Sequence, residues 1–341
     1  MGTAGGFGFA GERREALDQM IVAGDIGGTH TRMGAFTGGP ASPKLGRWKE
    51  FHSRDYDSME KIVEEFLEPG DKPKAFCFGV AGPVVDGTAR PTNLNWELNA
   101  ARMGGTFGAP VALINDLEAN AYGVATLGPE DLATIQEGEE NEHGNAAVIS
   151  AGTGLGEAGL FWDGMSHRPF ASEGGHCTFS PESGEQTDLL NYLRKQFPDH
   201  VSWERVLSGP GLHNIFQFYR DTGRGDEPQW LADAIAQGDA SAVIAECGMA
   251  GKSGTCEKAV GMFVSLYGSE AANLALKALA VGGIYIGGGI APRMVGKLKE
   301  GPFLQAFLAK GRMRPMLERI PIHVITNDKT ALQGAARRGM L

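Results

Sequence analysis

The run VALINDLEANAYG, Val111 to Gly123, passes from an apolar strand pattern into a helical one, and Asn115 and Asp116 stand at the turn. Side chains there project from the carboxyl end of a strand, the usual place for an α/β site. A carboxylate at that point can accept the proton of a weakly nucleophilic hydroxyl as its oxygen bonds to phosphorus. It can equally be a helix N-cap and nothing more. In SEGGHCTFSP, Ser172 to Pro181, Glu173 and His176 bracket two glycines. Both side chains can therefore line one pocket while the backbone passes close to a ligand. A metal site is the competing reading, but Glu173, His176 and Cys177 lack a fourth ligand. SWERVLSGPGL, Ser202 to Leu212, adds Glu204, which alone reads as a helix-start carboxylate. Sugars demand several paired polar groups, because each hydroxyl donates and accepts. Asn93, Asn115, Asp116, Glu173, His176 and Glu204 would supply that set.

Phosphate chemistry is suggested by glycines. GDIGGTHTR, Gly24 to Arg32, follows a short apolar strand. Gly24, Asp25, Ile26, Gly27, Gly28 and Thr29 are its candidate nucleotide contacts: the paired glycines can point consecutive N–H groups into one concavity, and Thr29 adds a hydroxyl. Asp25 can orient Mg²⁺ through water. A glycine hairpin with Asp25 satisfying turn amides is the alternative. AGTGLGEAGL, Ala151 to Leu160, repeats the pattern with Gly152, Thr153, Gly154 and Gly156. Two such loops, at equivalent places in successive α/β units, weigh more than one. In IYIGGGIAPRM, Ile284 to Met294, Gly288 and Gly289 leave room for a flat ring or a ribose, or simply make a tight strand-to-helix turn. AGKSG, Ala250 to Gly254, ends like a P-loop, but Glu246 stands where that motif needs glycine and no strand pattern precedes it. GTGLGEAG has the wrong spacing for a dinucleotide fingerprint, and a strand rather than a helix follows.

These loops need strands to end on and helices to cover them. Strand patterns lie at Met20–Asp25, Thr31–Phe36, Ala75–Phe78, Val111–Ile114, Ala146–Ser150, Gly282–Ile286 and Ile320–Ile325. A helix over Ser58–Leu67 carries Met59, Ile62, Val63, Phe66 and Leu67 on one stripe, and a longer one spans Lys252–Leu279. Alternation of the two patterns predicts an α/β architecture. The polar stretch Gly128–Gly144 separates a first unit from a larger second one.

Composition narrows the partners. The 341 residues, 42% hydrophobic and 21% charged, suffice for two globular domains. Glycine stands out at 51 residues without a collagen-like repeat. A net charge of −10 disfavours nucleic acid, which demands clustered Lys and Arg, yet permits a nucleotide held by backbone amides and a metal. Cys77, Cys177, Cys247 and Cys256 are far apart with no CxxC pair, as buried free thiols of a reducing compartment would be. The first ~20 residues have no apolar core for a signal peptide, and no run approaches the ~20 apolar residues of a membrane span. A cytoplasmic protein is expected.

GDIGGT, GVAGPV (Gly79 to Val84), TNLNW (Thr92 to Trp96), LINDLEANAYG, GTGLG, EGGH, ERVLSGPGL, GGGIAPR and KGRM (Lys310 to Met313) together resemble the bacterial-type glucokinases of the hexokinase/actin-like ATPase superfamily. They occur in that family's order and cover the chain from about Met20 to its end. The resemblance implies a two-domain actin-like (ribonuclease H-like) α/β fold with an interdomain cleft. Residues 20–126 plus 326–341 would form the small domain and 127–325 the large one, after a poorly ordered extension over 1–19. It implies ATP as donor, Mg²⁺ as cofactor, glucose 6-phosphate as product and a homodimer. Asp116 would be the catalytic base, with Asn93, Asn115, Glu173, His176 and Glu204 holding glucose. Gly24 to Thr29 and Gly152 to Gly156 would be the phosphate loops, and GGGIAP the adenosine side.

The related ROK sugar kinases carry a cysteine-rich zinc motif after the EGGH-like segment; here only Cys177 follows. His30 and Thr31 stand where the family commonly has Asn and Ala, and Glu157 replaces a usually small or apolar residue. A carboxylate near phosphates would be repelled, so Glu157 is expected to face outward or to pair with a base. The functional alternative from another class is a sugar-binding regulator that lost turnover. Twenty glycine-rich residues form no helix-turn-helix, and the acidic charge disfavours DNA. Another hexose, such as mannose, fructose or an amino sugar, remains open as substrate.

Overall fold

The computed structural model describes residues 19–91 and 94–341. The chain forms two units, one of residues 1–128 with 327–341, the other of 129–326. The N-terminal extension up to residue 18, expected to be poorly ordered, lies outside the described residues.

In the first unit a sheet takes the order β3-β2-β1-β4-β8. Its strands are β1 (Ile21–Ile26), β2 (His30–Gly39), β3 (Ser42–His52), β4 (Ala75–Val80) and β8 (Val111–Asn115), with the short strands β5 (Val84–Val85), β6 (Thr88–Ala89) and β7 (Leu98–Asn99) forming a small sheet of their own. β1, β2 and β3 run antiparallel, whereas β4 and β8 lie parallel to β1. IVAGDI is buried along nearly its whole length, which is why it reads as a continuous apolar run and not an alternating one. Helix α1 (Met59–Phe66) buries Met59, Ile62, Val63 and Phe66, four of the five residues of the predicted stripe, with Leu67 only partly buried at its C-cap. Helix α2 (Ala100–Phe107) is capped by Asn99, whose side chain accepts the Arg102 N–H.

Helix α3 (Asp116–Val124) continues from β8 and rests on β4 at Gly79, where a Cβ would come within 2.9 Å of the Ala119 Cβ. The C-terminal helix, Thr330–Met340, then packs against α3 backbone to backbone. A Cβ at Gly123 would stand 2.2 Å from the Thr330 carbonyl oxygen, and one at Gly334 1.8 Å from that of Ala119.

The second unit repeats the plan in a sheet of order β12-β11-β10-β13-β14-β9. Its strands are β9 (Leu132–Gln136), β10 (Ala146–Ala151), β11 (Leu155–Trp162), β12 (His167–Ser172), β13 (Gly283–Gly287) and β14 (Ile322–Ile325). β10, β11 and β12 are antiparallel and β13 and β14 parallel to β10, with β9 antiparallel on the far edge. In both sheets the glycine loop is therefore the connection from the first strand of the antiparallel meander to the second. Helices α4 (Gly184–Leu193), α5 (Gly209–Asp221), α6 (Gln229–Gln237), α7 (Ala240–Met249) and α8 (Gly254–Ala278) follow, with α8 packed on β10 and β13 and on α5 and α7. α8, with 25 residues, buries Ala259, Met262, Phe263, Leu266 and Tyr267 in the larger core, and the Tyr267 hydroxyl accepts the Ala151 N–H at 3.1 Å. AGKSG joins α7 to α8, with Ser253 as an N-cap, and follows a helix instead of a strand.

The contact at Gly334 is testable. Gly334→Ala should lower the unfolding free energy by about 1–3 kcal/mol, the usual cost of overpacking. Urea denaturation reads it; an unchanged midpoint would mean that α3 and the C-terminal helix are not in backbone contact.

Candidate active site

β8 ends where α3 begins, and the two residues at the junction divide the work. Asn115 is the N-cap: its Oδ1 accepts from the N–H groups of Leu117 (2.9 Å) and Glu118 (3.4 Å), and its Nδ2 donates to the Gly82 carbonyl at 3.0 Å. Asp116 is the first helical residue, half-buried, with Oδ1 accepting from Leu117 N–H at 3.0 Å and its carbonyl accepting from Asn120 Nδ2. The alternative in which Asp116 is merely the cap is thereby corrected, because Asn115 fills that role. Asn93 lies outside the described residues; the same TNLNW segment ends on Trp96, which is buried and donates Nε1–H to the Tyr56 carbonyl.

Of the six residues proposed for the first loop, Gly24, Asp25 and Ile26 belong to β1. Gly24 is a packing glycine, since a Cβ there would meet a Phe78 ring carbon at 2.7 Å, and the Ile26 side chain is in the core. Asp25 sits at the strand end opposite Arg32 of β2. Burial pushes its carboxyl above the ordinary value, and the Arg32 guanidinium pulls it back. Arg32 itself donates Nε–H to Glu50 at 2.8 Å. The loop proper is Gly27–Thr29. Gly27 N–H is used by the His30 carbonyl, so the N–H groups that can meet a phosphate there are those of Gly28 and Thr29.

Sequence reasoning missed Ser53, which splints this loop. Its Oγ donates to the Gly27 carbonyl, its N–H donates to the Thr29 carbonyl, and the Thr31 hydroxyl lies 2.9 Å from its Oγ. The buried Thr31 thus has a structural task, whereas His30 is exposed and packs on the His52 ring with centroids 4.6 Å apart.

In the second unit the loop is Gly152–Gly154, while Gly156 is already in β11 opposite Ser150. Gly152 donates to the Gly154 carbonyl and accepts from Gly209 N–H, each at 2.8 Å. Glu204 Oε2 accepts from Leu155 N–H at 3.1 Å and would stand 2.6 Å from a Cβ on Gly154. The 3-10 turn Gly174–His176 follows β12 directly. Trp203 N–H donates to the Cys177 carbonyl, Phe179 N–H donates to that of Val201, and His200 Nε2 donates to that of His176, which ties this turn to the one bearing Glu204. Glu173 and His176 are exposed, with Oε2 and Nε2 3.9 Å apart. Glu173, His176 and Glu204 therefore share the second unit, and Asn115 and Asp116 the first.

Also within the second unit, a cavity of about 950 Å³ opens beside the loop. Gly152, Thr153 and Gly289 line one part, and Leu212, Ala245, Met249, Ile290 and Met294 supply apolar walls. Gly288 has φ +82°, and a Cβ there would be 2.3 Å from the Ala151 carbonyl, so only glycine lets the β13 end approach the loop. Asp239 caps α7, and its bonds from Ser241, then from the α7 amides, hold its carboxyl below the ordinary value, with Arg293 adding to the effect. Asp239, Ser241, Glu246 and Arg293 all line the cavity and were not identified as site residues from the sequence. The helix-start signal Asp239–Ser241 was legible, but nothing local says that its helix walls a cavity.

Two expectations are corrected. Glu157 neither faces outward nor pairs with a base: only 1% exposed, it lies against the equally buried Glu270, and Lys277 bonds Glu270 instead. The strand places residue 157 opposite the core residue Ile149, beneath α8. Cys177 is exposed rather than buried; Cys77, Cys247 and Cys256 are the buried thiols, and burial pushes Cys77 up to about 12 and Cys256 up to about 11. Among the described residues no group of three or more His, Cys, Asp or Glu could hold a metal ion, and no helix is long and apolar enough to cross a membrane.

Known proteins resemble this chain over most of its length. A family model described as Glucokinase matches residues 22–340. A glucokinase of Nostoc sp. is 38% identical over 334 residues, 93% of this chain and 98% of that protein. The crystal structure of a glucokinase from an Antarctic psychrotroph superposes with TM-score 0.84 at 32% identity, covering 94% of this chain and 98% of the other. A glucokinase from Balamuthia mandrillaris in complex with glucose shares the fold, with TM-score 0.74 at 20% identity over 94% and 93%.

The cap is testable apart from any ligand. Asn115→Ala should cost about 0.5–2 kcal/mol of stability, and Asn115→Ser, which keeps a capping oxygen, should recover most of it. Thermal unfolding of the two variants decides; equal losses would show that the cap is not what Asn115 contributes.

Proposed function

This chain belongs to the glucokinase family, and we propose that in the family's reaction, ATP-dependent phosphorylation of D-glucose to glucose 6-phosphate, Asp116 is the general base. The observation that carries the reading is the split at the β8–α3 junction, where Asn115 caps the helix and the acid stands at the strand's carboxyl end. The 6-hydroxyl gives its proton to the Asp116 carboxylate as its oxygen bonds to the γ-phosphorus. The bond to the bridging oxygen of ADP breaks, and ADP leaves with the electron pair. The proton then passes to solvent.

Sugar orientation falls to Glu173, His176 and Glu204, with the second Nδ2 hydrogen of Asn115 and with Asn93. Glu204 is doubly suited, because its Oε2 already anchors the Gly152–Gly154 loop. A shift of the sugar is thereby coupled to the loop that takes the nucleotide phosphates. Gly28, Thr29, Thr153 and Gly154 offer N–H donors to those phosphates, and the Thr29 and Thr153 hydroxyls add to them. The cavity beside Gly289 takes the adenosine, its base against Ala245, Met249 and Ile290.

Mg²⁺ fits as an ion carried by the nucleotide, not as one caged by protein. Asp25 is a single carboxylate at a strand end, and Mg²⁺ commonly keeps several waters with one or two carboxylates. Bound there, it would neutralise phosphate charge. A homodimer, which the family resemblance implies, is read from the mass in solution.

Asp116→Asn should lower kcat by about 10²–10⁴-fold while glucose still binds within a few-fold of its original affinity. A coupled assay and titration calorimetry measure the two. Loss of affinity and rate in equal proportion would make Asp116 a binding residue. The same assay run over glucose, mannose, fructose and glucosamine fixes the hexose preference, which a small change in pocket geometry can redirect.

A further inference from the structure

Beneath the turn that carries Glu173 and His176 lies a buried acid pair that the phosphoryl transfer does not use. Glu157 is 1% exposed and Glu270 has no exposed surface. Glu270 has both oxygens engaged, accepting from Lys277 Nζ at 3.3 Å and from Asn273 Nδ2 at 2.7 Å. Glu157 Oε1, fully buried, meets no donor among the described residues. Two carboxylates beside a single lysine cannot both be charged without leaving one negative charge uncompensated, so the Glu157 carboxyl keeps its proton beside the Glu270 carboxylate. Burial first, and then the Glu270 charge, push the Glu157 carboxyl up to about 8.

The pair also touches the turn. A Cβ on Gly174 would lie 1.8 Å from Glu157 Oε2, so the backbone between Glu173 and His176 rests directly on that carboxyl. Ser172, facing Glu157 across the β11–β12 ladder, accepts the Gly174 N–H on its Oγ at 3.0 Å. Other groups around the pair are the Tyr267 phenol of α8, Cys177 at the end of the turn, and Glu173 and His176 on its outer side. Ile149 and Ser172, the ladder neighbours of Glu157, do not titrate.

We propose that Glu157 and Glu270 are positioning residues whose shared proton seats the Glu173–His176 turn, so that glucose binding weakens when that proton is lost. The inference rests on the reading that Glu173 and His176 hold the sugar. With the proton gone, two like charges face each other in a dry pocket. Their repulsion parts β11 from α8 and moves the turn that lies on Glu157.

The experiment is the pH dependence of the Michaelis constants of the full-length enzyme. As the pH is raised from 7 to 9 the glucose KM should rise several-fold, as expected of a carboxyl that burial and a neighbouring charge keep protonated at neutral pH, while the ATP KM changes little. Glu157→Gln keeps an N–H donor toward Glu270 and cannot ionise, so its glucose KM should stay within about two-fold over the same range. A folded Glu157→Gln protein with the parent's alkaline rise overturns the proposal, as does an equal rise in the ATP KM. Should that variant not fold, calorimetry of the parent protein at pH 8.5 in buffers of different ionisation enthalpy decides. Uptake of a substantial fraction of a proton on glucose binding is expected, and none would overturn the idea. Glu173→Gln and His176→Ala test the premise separately: an unchanged glucose KM in both removes these residues from the sugar site, whatever Glu157 does.

Discussion

The candidate base is located by backbone contact. Gly79, Gly123 and Gly334 remove the side-chain layer that normally separates a helix from its neighbours, and α3 lies directly on β4 and on the C-terminal helix. A helix seated on main chain has little freedom to slide, because main-chain atoms cannot change rotamer. The seat is completed from the far end of the chain, where Leu332, Ala335 and Ala336 close a small core with Ala23, Phe36, Cys77 and Ile114. The placement of Asp116 thus depends on residues more than two hundred positions away in the chain.

The repeated sheet plan sets two glycine loops at the same topological point, but each is held differently. Ser53 holds the first by bonding both the Gly27 and Thr29 carbonyls. Glu204 and Gly209 hold the second, the former through Leu155 N–H and the latter through the Gly152 carbonyl. A phosphate-binding loop must present N–H groups without collapsing onto its own carbonyls. In both loops outside groups occupy carbonyls, and in the first Gly27 turns its own N–H to His30, which leaves the donors of Gly28 and Thr29 for a ligand.

Acidic side chains take distinct tasks here according to environment. Asp116 stands at a helix start, Glu204 bonds a backbone amide, Glu173 is in solvent, and Glu157 is buried against another acid. A buried pair of this kind is tolerated only with a proton between its members, since one lysine cannot neutralise two charges. It gives the polar turn above it a firm floor, and it makes that floor sensitive to alkali.

Much of the plan was legible because its signals are local. Long apolar runs such as Ala146–Ala151, buried on both faces, and the stripe Met59–Phe66 announce their elements through pattern alone. The motifs also identified the glycine loops and the acids, and their order along the chain pointed to the family. α7 offers a start signal at Asp239 but no marked apolar stripe in ASAVIAECGM, so nothing local shows that it walls a cavity, and Asp239, Ser241 and Glu246 were missed as cavity residues. Ser53 was lost for the same reason, being one of many serines until β3 returns it to the first loop. Residue types and their spacing limit the available chemistry to a carboxylate at a strand end, a set of polar side chains and paired glycine loops. Tertiary structure alone decided which of those groups point where. Asn115 and not Asp116 caps α3, Gly24 packs a strand, and Glu157 goes inside, because burial and hydrogen-bond partners come from segments distant in the chain.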